Sequence, residues 1–359
     1  MNLKSVATFA VAATVTAMLG TQPASSHTQG TPRSSAPRAS AQSITSGPWV
    51  KLAGTSAKLN DVPGGPVRLA SYSLIFDAGQ GHYGYLREGD RFVRTPYREA
   101  LVAPGERWVA GIPDSRLWLA VKRIDLIDRT SGRKYTIPMP APVTSPEWSP
   151  DGSTLLLTAY KPRRDGSLTI IGFITLTVTD RTPRLVETGP RHRVADWDIG
   201  RSFRFYFTGG ADGVLAMHDE RDVAPRKRRI AVYDLDGKRR RVYTGVGDLD
   251  EWHTVTPFSP SGRLFATFVR EGENGHQIGI VEASTGKVVH RIGKDIHAFA
   301  GWYDEKHVIV QRKRAETQVV YQRADLSGTV DLELIREKLI AGPAEYKPHL
   351  DRVNFVHRD

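Results

Sequence analysis

The 359-residue chain contains no cysteine. That absence excludes disulfides, a thiol nucleophile, a cysteine-ligated zinc centre and a thioether lipid anchor, so the fold must rest on packing. Long apolar runs are missing as well. Beyond Leu19 no segment approaches the ~20 apolar residues that a bilayer crossing needs. Acidic residues are outnumbered, 39 against 50 Lys and Arg, for a formal net charge of +11. No Gly-x-Ser-x-Gly nucleophile elbow occurs, and no helix-turn-helix, zinc-finger or RNA-recognition pattern. "DLDG" (Asp234–Gly237) begins like a calcium loop but lacks the later ligands and the closing Glu, and reads as a hairpin turn.

Turn formers and aromatics are present instead: 33 Gly, 22 Pro, 7 Trp, 12 Tyr and 12 Phe. The length allows two ordinary domains or one large all-β domain. Its core can be large enough to need neither metal nor disulfide. At the N-terminus, Lys4 precedes the apolar stretch Ser5–Leu19, and Ala24–Ser26 supplies small residues for cleavage before His27. That pattern reads as a secretory signal peptide, residues 1–26. Residues 27–47 are Ser, Thr, Pro and Ala with two Arg. Such a segment cannot bury apolar area and reads as a disordered tether.

Arg outnumbers Lys, 36 to 14, and the excess gathers in Lys161–Arg164, Arg226–Arg229 and Lys238–Arg241. Basic clusters attract polyanions. With export expected, nucleic acid is not the partner implied. A cell-envelope polymer or an acidic polysaccharide is, and a merely solvated surface is the plainer alternative.

The segment "SPEWSPDGSTLLLTAY" (Ser145–Tyr160) joins two extended stretches through a Pro-Asp-Gly turn. "VTPFSPSGRLFATFV" (Val255–Val269) repeats it, with Phe258 in the place of Trp148. Weaker copies put Val102, Trp197, Trp302 and Tyr346 in that place, at steps of 44 to 61 residues, and the longest step carries an apparent insertion, Ala211–Arg229. Six alternating hairpins lie between these copies, starting at Tyr83, Ile124, Phe173, Ile230, Ile278 and Val319. One strand-turn-strand copy plus one hairpin makes a four-stranded unit of about 45 residues, the size of a propeller blade. The first hairpin has no copy before it and the last copy has no hairpin after it. Pairing the C-terminal strands with the N-terminal hairpin would close the ring and remove free sheet edges. Arg68–Asp77 could add a strand to that composite blade.

Pro-x-Trp-Ser-Pro-Asp-Gly-x-x-Leu (Pro146–Leu155) resembles the WD40-like repeat of TolB-type β-propellers. Two copies are close and four degenerate, and the likeness covers about residues 83–359. It implies an all-β propeller of six blades, or seven if residues 48–77 help build another, with Trp148 packing between blades. The class spans translocation accessory proteins, peptidase propellers and polysaccharide lyases, so the fold is implied and the function is not.

Counting back five residues from Trp197, Phe258 and Trp302 reaches His192, His253 and His297. Equivalent propeller positions ring the channel, so three imidazoles there could hold a divalent transition metal. Oligogalacturonate lyases are similar in placing a His-rich manganese site in the channel. Glu251, Trp252 and Arg193 are candidate binding residues at the channel mouth, Glu251 as a base and Trp252 as a sugar-stacking ring under the enzymatic alternative. No catalytic residue is assigned. Ala211–Arg229 is a candidate contact loop. The sequence thus predicts a signal peptide, a tether and a propeller over 48–359. The protein would be an exported monomer without lipid anchor or cofactor. It would bind a protein, peptide or envelope polymer through one face. The alternative is a metal-dependent lyase or hydrolase acting on an acidic polysaccharide.

Overall fold

The computed structural model describes residues 47–76, 82–114, 120–164, 167–188, 193–194, 204–219, 228–249, 256–270, 276–293, 295–339 and 348–358. All regular structure among them is β, and no helix among them is long and apolar enough to cross a membrane. β1 (Trp49–Lys51) and β2 (Lys58–Asn60) form a short hairpin, followed by β3 (Val67–Phe76), β4 (His82–Glu88) and β5 (Arg91–Arg94). β6 (Tyr97–Val102), β7 (Trp108–Pro113), β8 (Val121–Asp128) and the long β9 (Lys134–Trp148) come next. β10 (Thr154–Pro162), β11 (Leu168–Thr177) and β12 (Pro183–Glu187) continue from β9, with β13 (Arg193–Val194) beside β11. β14 (Phe205–Phe207), β15 (Gly213–Asp219), β16 (Arg228–Asp234) and β17 (Arg239–Thr244) make a four-stranded sheet, and β18 (Leu264–Arg270), β19 (His276–Glu282) and β20 (Lys287–Ile292) a three-stranded one. The chain ends with β21 (Ala298–Trp302), β22 (His307–Ala315), β23 (Gln318–Asp325), β24 (Val330–Lys338) and β25 (Pro348–His357).

Every strand pairing among the described residues is antiparallel, as those joined by short polar turns have to be. All six expected hairpins are present, as β4–β5, β8–β9, β11–β12, β16–β17, β19–β20 and β23–β24. The result is a propeller-like array of meanders whose apolar faces meet. Leu101, Ile112 and Ile124 pack on Leu155 and Ile174. Phe173 packs on Phe205, and Tyr243 and Phe258 on Phe265. The C-terminal β25 pairs with β3 from Pro348↔Phe76 to His357↔Val67, giving the order β25-β3-β4-β5. Residues 48–77 divide between two sheets, because β1 and β2 extend the edge of β24 while β3 joins β25.

The repeat is anchored by one turn geometry. Ser149 N–H bonds Thr154 O at 2.8 Å and Gly152 N–H bonds Ser149 O at 2.8 Å; Ser259, Leu264 and Gly262 repeat this at 2.9 and 2.8 Å. Thr208 N–H to Gly213 O and Ala211 N–H to Thr208 O, both 2.9 Å, set the same turn after β14. The Trp148 place in that repeat is therefore Phe207, ten residues beyond the expected Trp197, which lies outside the described residues. This corrects the reading of Ala211–Arg229 as an inserted loop: residues 211–219 are that turn and β15, and 228–229 open β16, while 220–227 lie outside the described residues. The expected frame failed because Thr-Gly-Gly-Ala-Asp-Gly makes the turn without Pro. The last copy is likewise displaced. Arg358 N–H bonds Pro66 O at 2.9 Å, just after His357↔Val67, so His357 rather than Tyr346 holds the place in β25.

Gly152 and Gly262 adopt φ of 68° and 72°. A Cβ on Gly262 would sit 2.7 Å from Gly209 Cα, and one on Gly152 would sit 2.6 Å from Pro104 O, so each turn packs on its neighbour. Gly105 has φ 73° but open space around it. Gly105→Ala should therefore cost only left-handed strain, about 1 kcal/mol, and Gly262→Ala clearly more, toward about 3 kcal/mol. Urea unfolding curves of the two variants check this. Equal midpoints would show that the turn contact carries nothing.

Candidate functional site

Of the expected metal set, only His297 lies among the described residues. It is exposed just before β21, and its amide N–H bonds Gln311 O at 2.8 Å. His192, His253, Glu251 and Trp252 fall outside the described residues, and Arg193 is placed only by its backbone, paired with Thr169. With Phe207 as the repeat place, the fifth residue back is Ser202 and not His192. The register argument for three converging imidazoles thus loses one member. Among the described residues no group of three or more His, Asp or Glu is placed to hold a metal.

The structure brings a different set together. The inner strands end around a cavity of about 210 Å³ lined by Trp148, Phe258 and Trp302, with Pro104, Pro150 and Pro260 from the following turns. Pro150 and Pro260 are exposed, so the cavity opens on the turn face. The two indoles are buried and their N–H groups are spent on neighbouring strands: Trp148 Nε1 donates to Leu101 O at 3.0 Å and Trp302 Nε1 to Pro257 O at 2.7 Å. The walls therefore present mainly carbon.

Glu147 is the exception. Opposite β9, Leu156 pairs with Glu147 and Thr158 with Thr144, leaving Ser145 and Pro146 against Leu157 alone. This is a β-bulge, and Ser145 takes φ 56° within it. Pro146 supplies no N–H to the ladder, which suits a bulge. The bulge sets the aim of Glu147, which is 7% exposed and lines the cavity. Its carboxylate accepts from Phe207 N–H at 3.3 Å and from the Thr256 hydroxyl. Its Oε1 has no hydrogen-bond partner among the described residues. Burial drives its pKa up to about 8, against Thr256, Phe207, Arg352 and Arg204, which pull it down.

A second carboxyl behaves oppositely. Glu99 on β6 is also buried, which alone would raise its pKa, but Arg352, Arg98 and Arg204 bring it to about 2. Arg352 on β25 donates to Glu99 Oε2 at 2.6 Å and to Pro146 O at 3.0 Å. Two buried carboxyls that share Arg352 and Arg204 as neighbouring cations are thus held in opposite states, Glu99 ionised and Glu147 protonated near neutrality. Sequence reasoning missed Glu147 although it sits inside the quoted motif. The available signal was a Pro-Glu pair interrupting an otherwise apolar inner strand.

The basic clusters lie elsewhere. Arg239–Arg241 are on β17, the outer edge of its sheet. Arg240 pairs with Asp234 at 2.6 Å, and Arg241 donates to Ala283 O and Ser284 O at 2.7 and 2.9 Å. Exposed Arg91, Arg184, Lys287 and Arg291 mark the other edge strands β5, β12 and β20.

Because Glu147 keeps its proton in the folded state to about pH 8 but loses it near 4.5 when unfolded, the folded state binds more protons between these values. Stability must then fall as pH rises through that window, by up to about 1.4 kcal/mol per unit from this group. Glu147→Gln does not titrate. Its stability relative to wild type should rise steadily from pH 5 to 8, as urea midpoints at matched pH would report. A constant difference would show that Glu147 ionises normally.

No family model matches the sequence. No curated protein matches it either. Solved structures do. TolB from Acinetobacter baumannii superposes with a TM-score of 0.50 at 15% identity, over 82% of this chain and 68% of that one. A putative TolB from Agrobacterium tumefaciens gives 0.48 at 15% identity, over 81% and 99%. At such identities the likeness concerns the fold alone, and the chain has a TolB-type β-propeller fold.

Proposed function

We propose that this chain is exported, loses residues 1–26, and acts as a non-catalytic, six-bladed propeller that binds a protein or peptide, or an envelope polymer, through its turn face. The observation that carries the reading is the carbon-walled cavity of about 210 Å³ opening between Pro150 and Pro260. Concave apolar recesses with a few placed polar groups are the usual form of binding sites.

Six blades and a closed ring are supported by the seams between sheets. Apolar clusters join β6–β8 to β9–β11, and β10–β12 to β14–β16. Others join β14–β17 to β18–β19, and β18–β19 to β21–β23. Two more join β22–β24 to β3–β5 through Ile309, Tyr321 and Tyr72, and β3 with β25 to β6–β7 through Ala70, Val356 and Val109. Glu337 on β24 accepts from the Thr55 hydroxyl at 2.9 Å and the Leu350 N–H at 3.1 Å, tying both ends of the propeller chain to one buried carboxyl.

Selection of a random peptide library on residues 27–359 tests the reading. Enriched peptides should bind in calorimetry, and Pro260→Glu at the rim should weaken them at least about tenfold without lowering thermal stability. Binding insensitive to the rim would overturn the face assigned. Metal-dependent cleavage of an acidic polysaccharide by the same chain would overturn the non-catalytic role.

A further inference from the structure

We infer that the recess between Trp148, Phe258 and Trp302 takes an uncharged, ring-sized apolar group bearing a carbonyl-type oxygen, with Glu147 as its hydrogen-bond donor. The inference rests on the binding reading above and specifies the chemistry of the same recess.

Size comes first. A dry cavity of about 150 Å³ accepts benzene. The recess, at about 210 Å³, has room for a substituted ring. Its indole donors are already paired with Leu101 O and Pro257 O, so neither indole asks for a polar partner.

One buried acidic oxygen on its wall is left over: Glu147 Oε1 has no hydrogen-bond partner among the described residues and belongs to a side chain that is 7% exposed. The Phe207 amide and the Thr256 hydroxyl serve the same carboxyl as donors, so the acid proton belongs on the oxygen they leave unserved. A buried O–H with no acceptor costs free energy that a guest carbonyl would recover. Burial keeps that proton in place up to about pH 8.

Charge selects against the other guests. The groups facing Glu147 are the Phe207 amide on β14, Thr256 before β18, and the guanidinium groups of Arg352 on β25 and Arg204 before β14; His357 on β25 lines the same recess. A cationic guest would meet the field of Arg352 and Arg204 and would have to ionise Glu147 against burial. An anionic guest would find the Arg352 guanidinium already engaged by Glu99 Oε2 and Pro146 O, and would trade its hydration chiefly for the Glu147 proton, which does not repay a buried charge. A neutral carbonyl needs one donor and finds one. A small molecule or a partner's side group could each carry it.

Acetophenone, toluene and benzylamine are single-ring probes that differ in their polar group, to be titrated against residues 27–359 by ligand-observed NMR. At pH 6.5 acetophenone should bind about three- to tenfold tighter than toluene. Above pH 8 that preference should fall, by up to about tenfold per unit. Glu147→Gln retains an N–H donor, so it should keep the preference and lose the pH dependence. Glu147→Leu should lose the preference while still binding toluene; if that variant fails to fold, the wild-type and Gln pH profiles decide. Equal binding of toluene and acetophenone by wild type would overturn the inference. So would benzylamine affinity that rises with pH, because Glu147 would then be acting as an anion. If no probe binds while a selected peptide still binds in a rim-dependent way, the acceptor chemistry fails and the binding face stands. If neither binds, both fail.

Discussion

The bond from one inner strand's indole to its neighbour's carbonyl organises this molecule. Trp148 reaches Leu101 O and Trp302 reaches Pro257 O, each acceptor lying one residue before the equivalent place of the preceding repeat. Inner strands in such an array stand side by side without a continuous hydrogen-bond ladder between them. Something must fix their spacing. A large buried ring does so through apolar area, at a cost of about 3–5 kcal/mol when truncated to Ala, and its N–H adds direction. A carbonyl has two lone pairs, and the indole takes one beside the strand ladder, as at Pro257 O, which also accepts the Ala266 N–H at 2.9 Å, so packing and polar satisfaction agree on one geometry. Between Phe207 and Phe258, where neither ring offers an N–H, the turn glycines contribute the close approach instead. Gly262 against Gly209 is the tightest example.

Fixing the inner strands this way leaves a recess at their ends, and Glu147 lines it. The bulge at Ser145–Pro146 matters because it departs from the strand's two-residue period. An unbulged β9 would keep alternating side chains between two apolar seams, and a glutamate there would be an unpaired buried charge. The bulge gives Glu147 an environment in which the neutral form is stable. Glu99 is stabilised as the anion by Arg352, Arg98 and Arg204. Desolvation acts on both, and what separates them is whether cations reach the carboxyl closely enough to outweigh it.

The fold was legible because turn chemistry and period-two alternation are local. Ser-Pro-Asp-Gly and Ser-Pro-Ser-Gly announce strand ends, and hairpins such as Asp236-Gly237 announce tight connections, so four of the six repeats had their places. The repeat at Phe207 was misplaced because an aromatic before a polar turn is the real signal, and Trp197 imitated it. The histidine register inherited that error, which shows how a three-point geometric argument depends on each frame separately. Glu147 was not legible for another reason. Its role comes from the Phe207 amide and Arg352, which lie 60 and more than 200 positions away in the chain, and no local pattern encodes such neighbours.

The positive charge finds a physical account that composition alone did not supply. Exposed Arg and Lys recur on β5, β12, β17 and β20, the strands left at the outer edges of their sheets. An outer edge presents unpaired N–H and C=O groups that another chain could join, and long charged side chains are a standard defence. Arg184 with Asp236 ties down part of this charge between one sheet and the next, and Arg240 with Asp234 does so within the β16–β17 hairpin. A charge distributed around the rim in this way differs from a patch on one face. It guards the outer edges against pairing with other chains, while the prolines and the carbon-walled recess lie apart from it, at the turn ends of the inner strands.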